Sequence, residues 1–377
     1  MDWKLVESDE ALQQLLAENA GCEVVIVDTE FMRTNTFYPK VALVQLCFVS
    51  DSSAQEVAWL VDPLCIEDTA PLAALLTNPA VLKVLHSPSE DLEVFNHWLG
   101  VLPQPLFDTQ RAAALLYRGF GLGYRALVHE ICDVDLPKGE TRSNWLQRPL
   151  TESQCEYAGL DVTWLLPVWR ELQEQCEREG KLDWVLADGH DAIEALGMLN
   201  NESHKRIKTA WKLKPRQLGT LMAVCRWREE TARRRDKPRS WIIDDKTCLQ
   251  LAQVNPQSMQ ELGASVELPP PVLRRHGQEI LDVLAGQREV PDQQLPAVMP
   301  APPDASGRDR LKKLKSKARE IAGQLDVAPE ILLQGKDYEL LLREGDDESP
   351  VQPRHWLGWR KQVVLAPLRE FLAGSGN

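Results

Sequence analysis

The sequence predicts an α/β domain built on a mixed sheet flanked by helices, followed by two all-helical units. Three observations carry this prediction. Runs rich in β-branched residues alternate with amphipathic stretches up to about residue 175. Strand signals then stop, and a Pro-rich segment just before residue 309 separates two helical stretches of similar order. At 377 residues the chain is long for one domain. Its 44% hydrophobic and 26% charged residues are the proportions of a soluble globular protein with a core.

In chain order, CEVVIVD (22–28), VALVQLCFV (41–49) and VAWLV (57–61) are three strands in close succession. PLAALLTNPA is a helix, VLKVL (81–85) a buried strand, and SEDLEVFNHWLG a helix closed by glycine; LFDT and the helix RAAALLYRGF follow. Three sequential strands and then β/α units predict a sheet that is antiparallel first and parallel later. Thr151 and Gln154, just after Pro149, form a T-x-x-Q capping box. They open one amphipathic helix through TESQCEYAGLDVTWLLPVWREL. KPRQLGTLMAVCRWREETARRRD begins the first helical unit, which ends in PPPVLRRHGQEILDVLAGQ; after the linker VPDQQLPAVMPAPPDASGRD, LKKLKSKAREIAGQL begins the second. The shared order suggests a degenerate repeat of roughly 75–85 residues. The expected divisions are 1–175, a connector over 176–207, a helical domain over 208–289, a linker over 290–308 and a second helical domain over 309–377.

The net charge of −13 hides an asymmetry. Residues 1–204 hold 13 Lys+Arg against 33 Asp+Glu, whereas residues 205–290 hold 17 against 10. An acidic body joined to a basic segment suits a phosphate-bearing ligand, and a merely solvated helical surface fits the charge equally well. No stretch has the roughly 20 apolar residues of a membrane span. The opening MDWKLVESDE lacks a basic n-region and an apolar h-region. The eight cysteines show no metal-ligand spacing and read as reduced core residues. The expectation is a cytoplasmic protein with no membrane partner, and a monomer.

Asp28 and Glu30 close the first predicted strand, and a period of two puts both on one face. Adjacent carboxylates ending an apolar run repel each other unless a cation compensates them. Asp91 falls in the first turn of the helix after VLKVL, where a carboxylate more often serves only the helix dipole. Tyr157 and Asp161 lie one turn apart on the capped helix. Singly, each has an ordinary structural explanation. Together they can converge on a pair of cations, and all-carboxylate ligation selects Mg²⁺ or Mn²⁺. Two such ions can clamp an in-line phosphodiester displacement, with the tyrosine orienting the attacking water or helping to take its proton.

The order Asp-x-Glu, Asp, Tyr-x-x-x-Asp resembles the DEDD superfamily of 3′→5′ exonucleases, in its tyrosine branch. VDTEFMRTNTFYPKVALVQL, LHSPSEDLEVF and RSNWLQRPLTESQCEYAGLDVTWLLPV resemble the ribonuclease D family over nearly all of residues 1–175. The resemblance implies an RNase H-like exonuclease domain followed by two HRDC helical bundles, with KPRQLGTLMAVCRWREETARRRDKPRSWIIDD similar to the start of the first. It implies that Asp28 bridges both ions, that Glu30 and Asp161 hold the ion that activates water, and that Asp91 serves the leaving-group ion while Tyr157 orients the nucleophile. Ala158-Gly159, followed by Leu160, is a mild departure after the tyrosine.

The implied activity is metal-dependent 3′→5′ exoribonuclease action releasing 5′-mononucleotides, with a single-stranded 3′ end on RNA such as tRNA precursors as substrate. The alternatives are a DNA exonuclease, disfavoured because no G-x-x-x-x-G-K-[ST] is present, and a non-catalytic nucleic-acid tether, disfavoured because all five site residues are present. Candidate substrate contacts are Thr29, Phe31, Met32 and Phe37 around the D-x-E, then His86, Arg142, Trp145 and Arg148. Arg226, Arg228, Arg233, Arg234, Arg235 and Arg239, interleaved with Trp227 and Trp241, form a further candidate face. His86 and Arg148 also fit structural roles, as do both tryptophans; the WII context favours the core for Trp241.

Overall fold

The computed structural model describes residues 2–49, 57–198, 203–344 and 352–374, with side chains of 197 and 198 left aside. Parts of the expected connector (199–202) and of the expected second helical domain (345–351, 375–377) lie outside the described residues. The chain forms two units: Met1–Met32, Lys40–Glu194 and Pro303–Asn377 make the first, and Arg33–Pro39 with Ala195–Pro302 the second.

The first unit is built on a sheet of six strands: β1 (Asp2–Val6), β2 (Val24–Met32), β3 (Lys40–Val49), β4 (Val57–Val61), β5 (Leu82–Leu85) and β6 (Leu106–Asp108). Their order is β1-β4-β3-β2-β5-β6. β2–β3 and β3–β4 are antiparallel, while β2–β5 and β5–β6 are parallel, as the strand succession predicts. β1 is an addition, an edge strand parallel to β4. Trp3 and Leu5 alternate with Asp2 and Lys4, but five residues are too few to announce a strand, and only Val6 is buried.

Helices α1 (Asp9–Glu18), α2 (Ala70–Thr77), α3 (Ser89–Trp98), α4 (Thr109–Leu115), α5 (Tyr124–Cys132), α6 (Glu152–Thr163), α7 (Leu165–Arg178) and α8 (Leu182–Met198) accompany the sheet. The expected single helix from Thr151 is two, α6 and α7, meeting at Trp164. Pro167 explains the break: a continuous helix would lose its bond to the Thr163 carbonyl and drive the ring into that turn. Gly189 lets α8 lie on β6, since a β-carbon there would sit 2.2 Å from the Leu106 carbonyl oxygen.

Residues 303–374 belong to this same unit. α14 (Ala305–Leu325), α15 (Pro329–Leu332), α16 (Gly335–Arg343), the 3₁₀ turn Arg354–Trp356 and α17 (Ala366–Gly374) contribute Leu314, Ile331, Trp356 and Leu368 to one core with the sheet domain. The Ala328 N–H donates to the Ala114 carbonyl at 2.8 Å. Buried Asp188 on α8 accepts from Arg360 (2.6 and 2.9 Å), Arg111 (2.5 Å) and the Trp359 indole (3.0 Å).

The second unit holds α9 (Pro215–Arg235), α10 (Arg239–Ile242), α11 (Asp245–Val254), α12 (Met259–Ser265) and α13 (Pro270–Arg288) around its own core. α9–α11 and α14–α16 repeat one design: a 21-residue helix closed by a left-handed aspartate (Asp236, Asp326), a four-residue helix, then a third helix. The third helices begin at 245 and 335 and the first at 215 and 305, a spacing of 90 residues in both cases. The repeat is thus longer than expected from the sequence, because the Pro-rich linker falls within it.

Candidate active site

β2 delivers Asp28 and Glu30, the start of α3 delivers Asp91, and α6 delivers Tyr157 and Asp161. The apolar residues Val25, Ile26 and Val27 are fully buried and pin β2 in mid-sheet. A register shift between Glu30 and Phe31 lies beyond the pair and leaves its common face intact. α6 starts where its capping box requires: the Thr151 N–H donates to the Gln154 side chain at 3.0 Å, and the Gln154 N–H donates to the Thr151 hydroxyl at 3.2 Å.

The structure brings one carboxylate oxygen each of Asp28, Glu30 and Asp161 within 4.8 Å of one another. Buried Asp91 adjoins this group and accepts a 2.5 Å hydrogen bond from the Thr29 hydroxyl. So much negative charge in a partly desolvated place is unfavourable without a counter-ion. Burial, then the charges of Asp91, Asp161 and Glu30, hold the Asp28 carboxyl well above its ordinary value. Burial and the charges of Asp161 and Asp91 push Glu30 to about 9. Burial raises Asp161 to about 8. It raises Asp91 to about 6 against the opposing hydrogen bond from Thr29. Hard oxygen donors are what Mg²⁺ or Mn²⁺ takes, so the residues present fit such an ion.

Tyr157 stands beside the cluster. Burial, then Asp161, Glu30 and Asp28, raise its hydroxyl above the ordinary tyrosine value, and Arg125 opposes them. The hydroxyl therefore keeps its proton at neutral pH. Two neighbours escape a reading of the sequence. Tyr124 donates to the Leu160 carbonyl at 2.7 Å, next to Asp161. Gln45 stands opposite Asp28 in the β2–β3 register and is fully buried. The run VALVQLCFV signals a strand at Gln45 but no role for its side chain, and Tyr124 falls outside the quoted motifs.

The candidate substrate contacts divide. Thr29 is buried and holds Asp91, whereas Phe31 and Met32 are half-buried beyond Glu30. His86 has both ring nitrogens engaged, with Thr109 at 2.9 Å and the Leu122 carbonyl at 3.1 Å, and burial lowers its pKa to about 4. Arg142 is exposed and Trp145 is buried. Arg148 is an anchor, bonded to Asp62 at 2.5 and 2.7 Å and to the Ala42 carbonyl at 2.6 Å.

In the second unit, Arg226 and Arg234 are exposed. Arg228 is buried and bonded to Asp245 at 2.8 Å, which removes it from the candidate face. Phe37 is 5% exposed, with the guanidinium groups of Arg233 and Arg239 over its ring at 4.7 and 4.6 Å. Neither that ring nor those two arginines present an open stacking surface. Trp227 is core, but Trp241 is 59% exposed, against the expectation from its WII context. WII sits on a four-residue helix too short to bury every apolar residue it carries.

Carboxylates from a mid-sheet strand, a helix start and a late Tyr-x-x-x-Asp helix define a 3′→5′ exonuclease domain. The family model described as 3′-5′ exonuclease matches residues 3–177, and the HRDC domain model matches residues 217–284. The ribonuclease D of Pseudomonas paraeruginosa is 40% identical, over 95% of this chain and 94% of its own length. That of Serratia proteamaculans is 34% identical, over 99% and 100%. The crystal structure of Escherichia coli RNase D, an exoribonuclease involved in structured RNA processing, matches with a TM-score of 0.89 at 32% identity, over 100% of both chains. The chain belongs to the ribonuclease D family, and its activity is 3′→5′ exoribonucleolytic.

Proposed function

We propose that this exoribonuclease trims the single-stranded 3′ ends of structured RNA, tRNA precursors among them, releasing 5′-mononucleotides by a two-metal mechanism. The observation that carries the mechanism is the convergence of Asp28, Glu30 and Asp161 within 4.8 Å, with Asp91 adjoining. Asp28, Glu30, Asp91 and Asp161 are the residues that would hold two divalent cations, Mg²⁺ or Mn²⁺. Bound there, the ions supply activation of water and stabilisation of the leaving 3′ oxygen. Thr29 fixes the orientation of Asp91 through its hydroxyl. Tyr157 orients the nucleophilic water through its hydroxyl.

The substrate reading rests on the Escherichia coli relative, which acts in structured RNA processing. Residues 208–289 would form the first HRDC domain and residues 309–377 a second, and the 90-residue structural repeat supports that pairing. Arg226 and Arg234 are then the exposed members of the candidate arginine face, and Arg142 is an exposed basic position in the loop before α6. We place the enzyme in the cytoplasm as a monomer; no described helix is long and apolar enough to cross a membrane.

The test is digestion of a 3′-labelled single-stranded RNA beside matched DNA, with Mg²⁺ or Mn²⁺ and with chelator. RNA should shorten one nucleotide at a time, and Asp28→Ala should abolish digestion. Tyr157→Phe should lower kcat substantially while RNA and Mn²⁺ binding stay near normal. An Asp28→Ala protein that still digests RNA at the wild-type rate rules out the assigned site.

A further inference from the structure

The segment between α5 and α6 carries PKGETRSNW, of which Gly139 lies against the ring of Tyr157. A β-carbon at Gly139 would fall 2.9 Å from Cδ2 of Tyr157, 3.6 Å from Cε2 and 3.8 Å from Cγ. The first distance is well inside van der Waals contact, so a methyl there fits only if the ring or the loop moves. Trp145, buried at 2% exposure, is a second ring neighbour, with centroids 6.0 Å apart at 48°. Glycine backbone and indole together bound the space in which the Tyr157 ring can sit.

The loop itself is moored at several points. Arg125 on α5 donates to the Leu136 carbonyl through both Nε, at 3.0 Å, and Nη2. The Ser153 hydroxyl on α6 donates to the Glu140 carboxylate at 2.8 Å, and the Gln154 amide donates to the Ser143 hydroxyl at 2.9 Å. Two of these bonds tie the loop to the helix that carries Tyr157. A methyl at Gly139 is therefore relieved more readily by displacement of the ring than by retreat of the backbone.

We propose that Gly139 is a positioning residue for Tyr157: its missing side chain lets a moored loop press against the ring and fix where the hydroxyl points. The proposal rests on the reading of Tyr157 as the group that orients the nucleophile. A hydroxyl displaced by a fraction of an ångström to about an ångström costs on the order of tenfold to a hundredfold in rate.

The experiment is a double-mutant cycle on the full chain with 3′-labelled single-stranded RNA and Mn²⁺. Gly139→Ala should lower kcat by about tenfold or more, with KM, Mn²⁺ affinity by calorimetry and melting temperature close to wild type. In the Tyr157→Phe background the same change should add almost nothing, because the group it acts through is gone. The pair Ser143→Ala and Ser153→Ala, which frees the loop from α6 without changing charge, should behave alike and serves if Gly139→Ala does not fold. A silent Tyr157→Phe overturns both the reading of Tyr157 and this inference. A slow Tyr157→Phe beside a wild-type-like Gly139→Ala, or a double variant slowed by the product of the two effects, overturns the Gly139 assignment alone.

Discussion

The four carboxyls bind protons more tightly in the fold than in the unfolded chain, because burial raises them all and repulsion from the other site acids adds to it at Asp28 and Glu30. Raised carboxyl pKa values make the metal-free fold lose stability as pH climbs from the unfolded value near 4 toward the folded values near 8 and 9. Asp161→Asn removes one of the charges that develop over that window. It should raise the melting temperature of the metal-free protein most at about pH 8.5, and the gain should shrink toward nothing as pH falls below the unfolded value near 4; a lowered value at both ends would contradict the charge account. Mn²⁺ binding at neutral pH should release protons, read as calorimetric heats that depend on the buffer. The five site residues were legible in the sequence because their spacing repeats strand and helix geometry within long motifs. Phe37, Arg228 and Trp241 were not, because exposure is decided by neighbours remote in sequence. For Phe37 these are Asp236, whose carboxylate accepts from the N–H groups of Phe37 and Tyr38 at 2.9 and 3.0 Å, and the arginines over its ring.

At the scale of elements, α6 bears the most function for its length, since it supplies two site residues and is anchored at its N-terminus by a reciprocal cap. Thr151→Ala should cost about 1 kcal/mol of stability in urea unfolding. Turnover should change by less than about twofold, because Tyr157 lies well over a turn inside the helix, beyond the reach of end fraying. A loss of activity with no loss of stability would mean that Thr151 does something other than cap. The strand signals were strong enough to reveal VLKVL even with Lys83 at its centre. The lysine is fully buried and donates to the carbonyls of Asn78 and Val81 at 2.7 and 2.6 Å. β1 stayed hidden because its alternation runs for only five residues, and the α6–α7 break because the helical period continues across it.

Over the whole molecule, the first unit joins an N-terminal part, 1–32 with 40–194, to a C-terminal part far away in sequence, 303–377, and the two are clasped at Asp188. Burial alone would raise that carboxyl. The hydrogen bonds and charge of Arg360, with the charge of Arg111, outweigh burial and hold it below the ordinary carboxylate value. A lowered pKa contributes stability that is present above the unfolded value and is lost as pH falls through the folded one. Asp188→Asn leaves buried Arg360 without a counter-charge and should cost about 3–5 kcal/mol at neutral pH. Denaturant midpoints of the two proteins should converge below about pH 4. No composition or motif links Asp188 to Arg360 across 172 residues. The sharing of one core by the α/β domain and the C-terminal helices was therefore beyond a reading of the sequence.

That same clasp separates covalent continuity from physical integrity. The chain leaves the first unit at residue 194 and returns to it at residue 303. A protease that nicks the intervening stretch once cuts the polypeptide and leaves the clasp and its shared core in place. Such a nicked molecule should run as two bands under denaturing conditions and as one particle in native solution, with every acid of the candidate site on the N-terminal fragment.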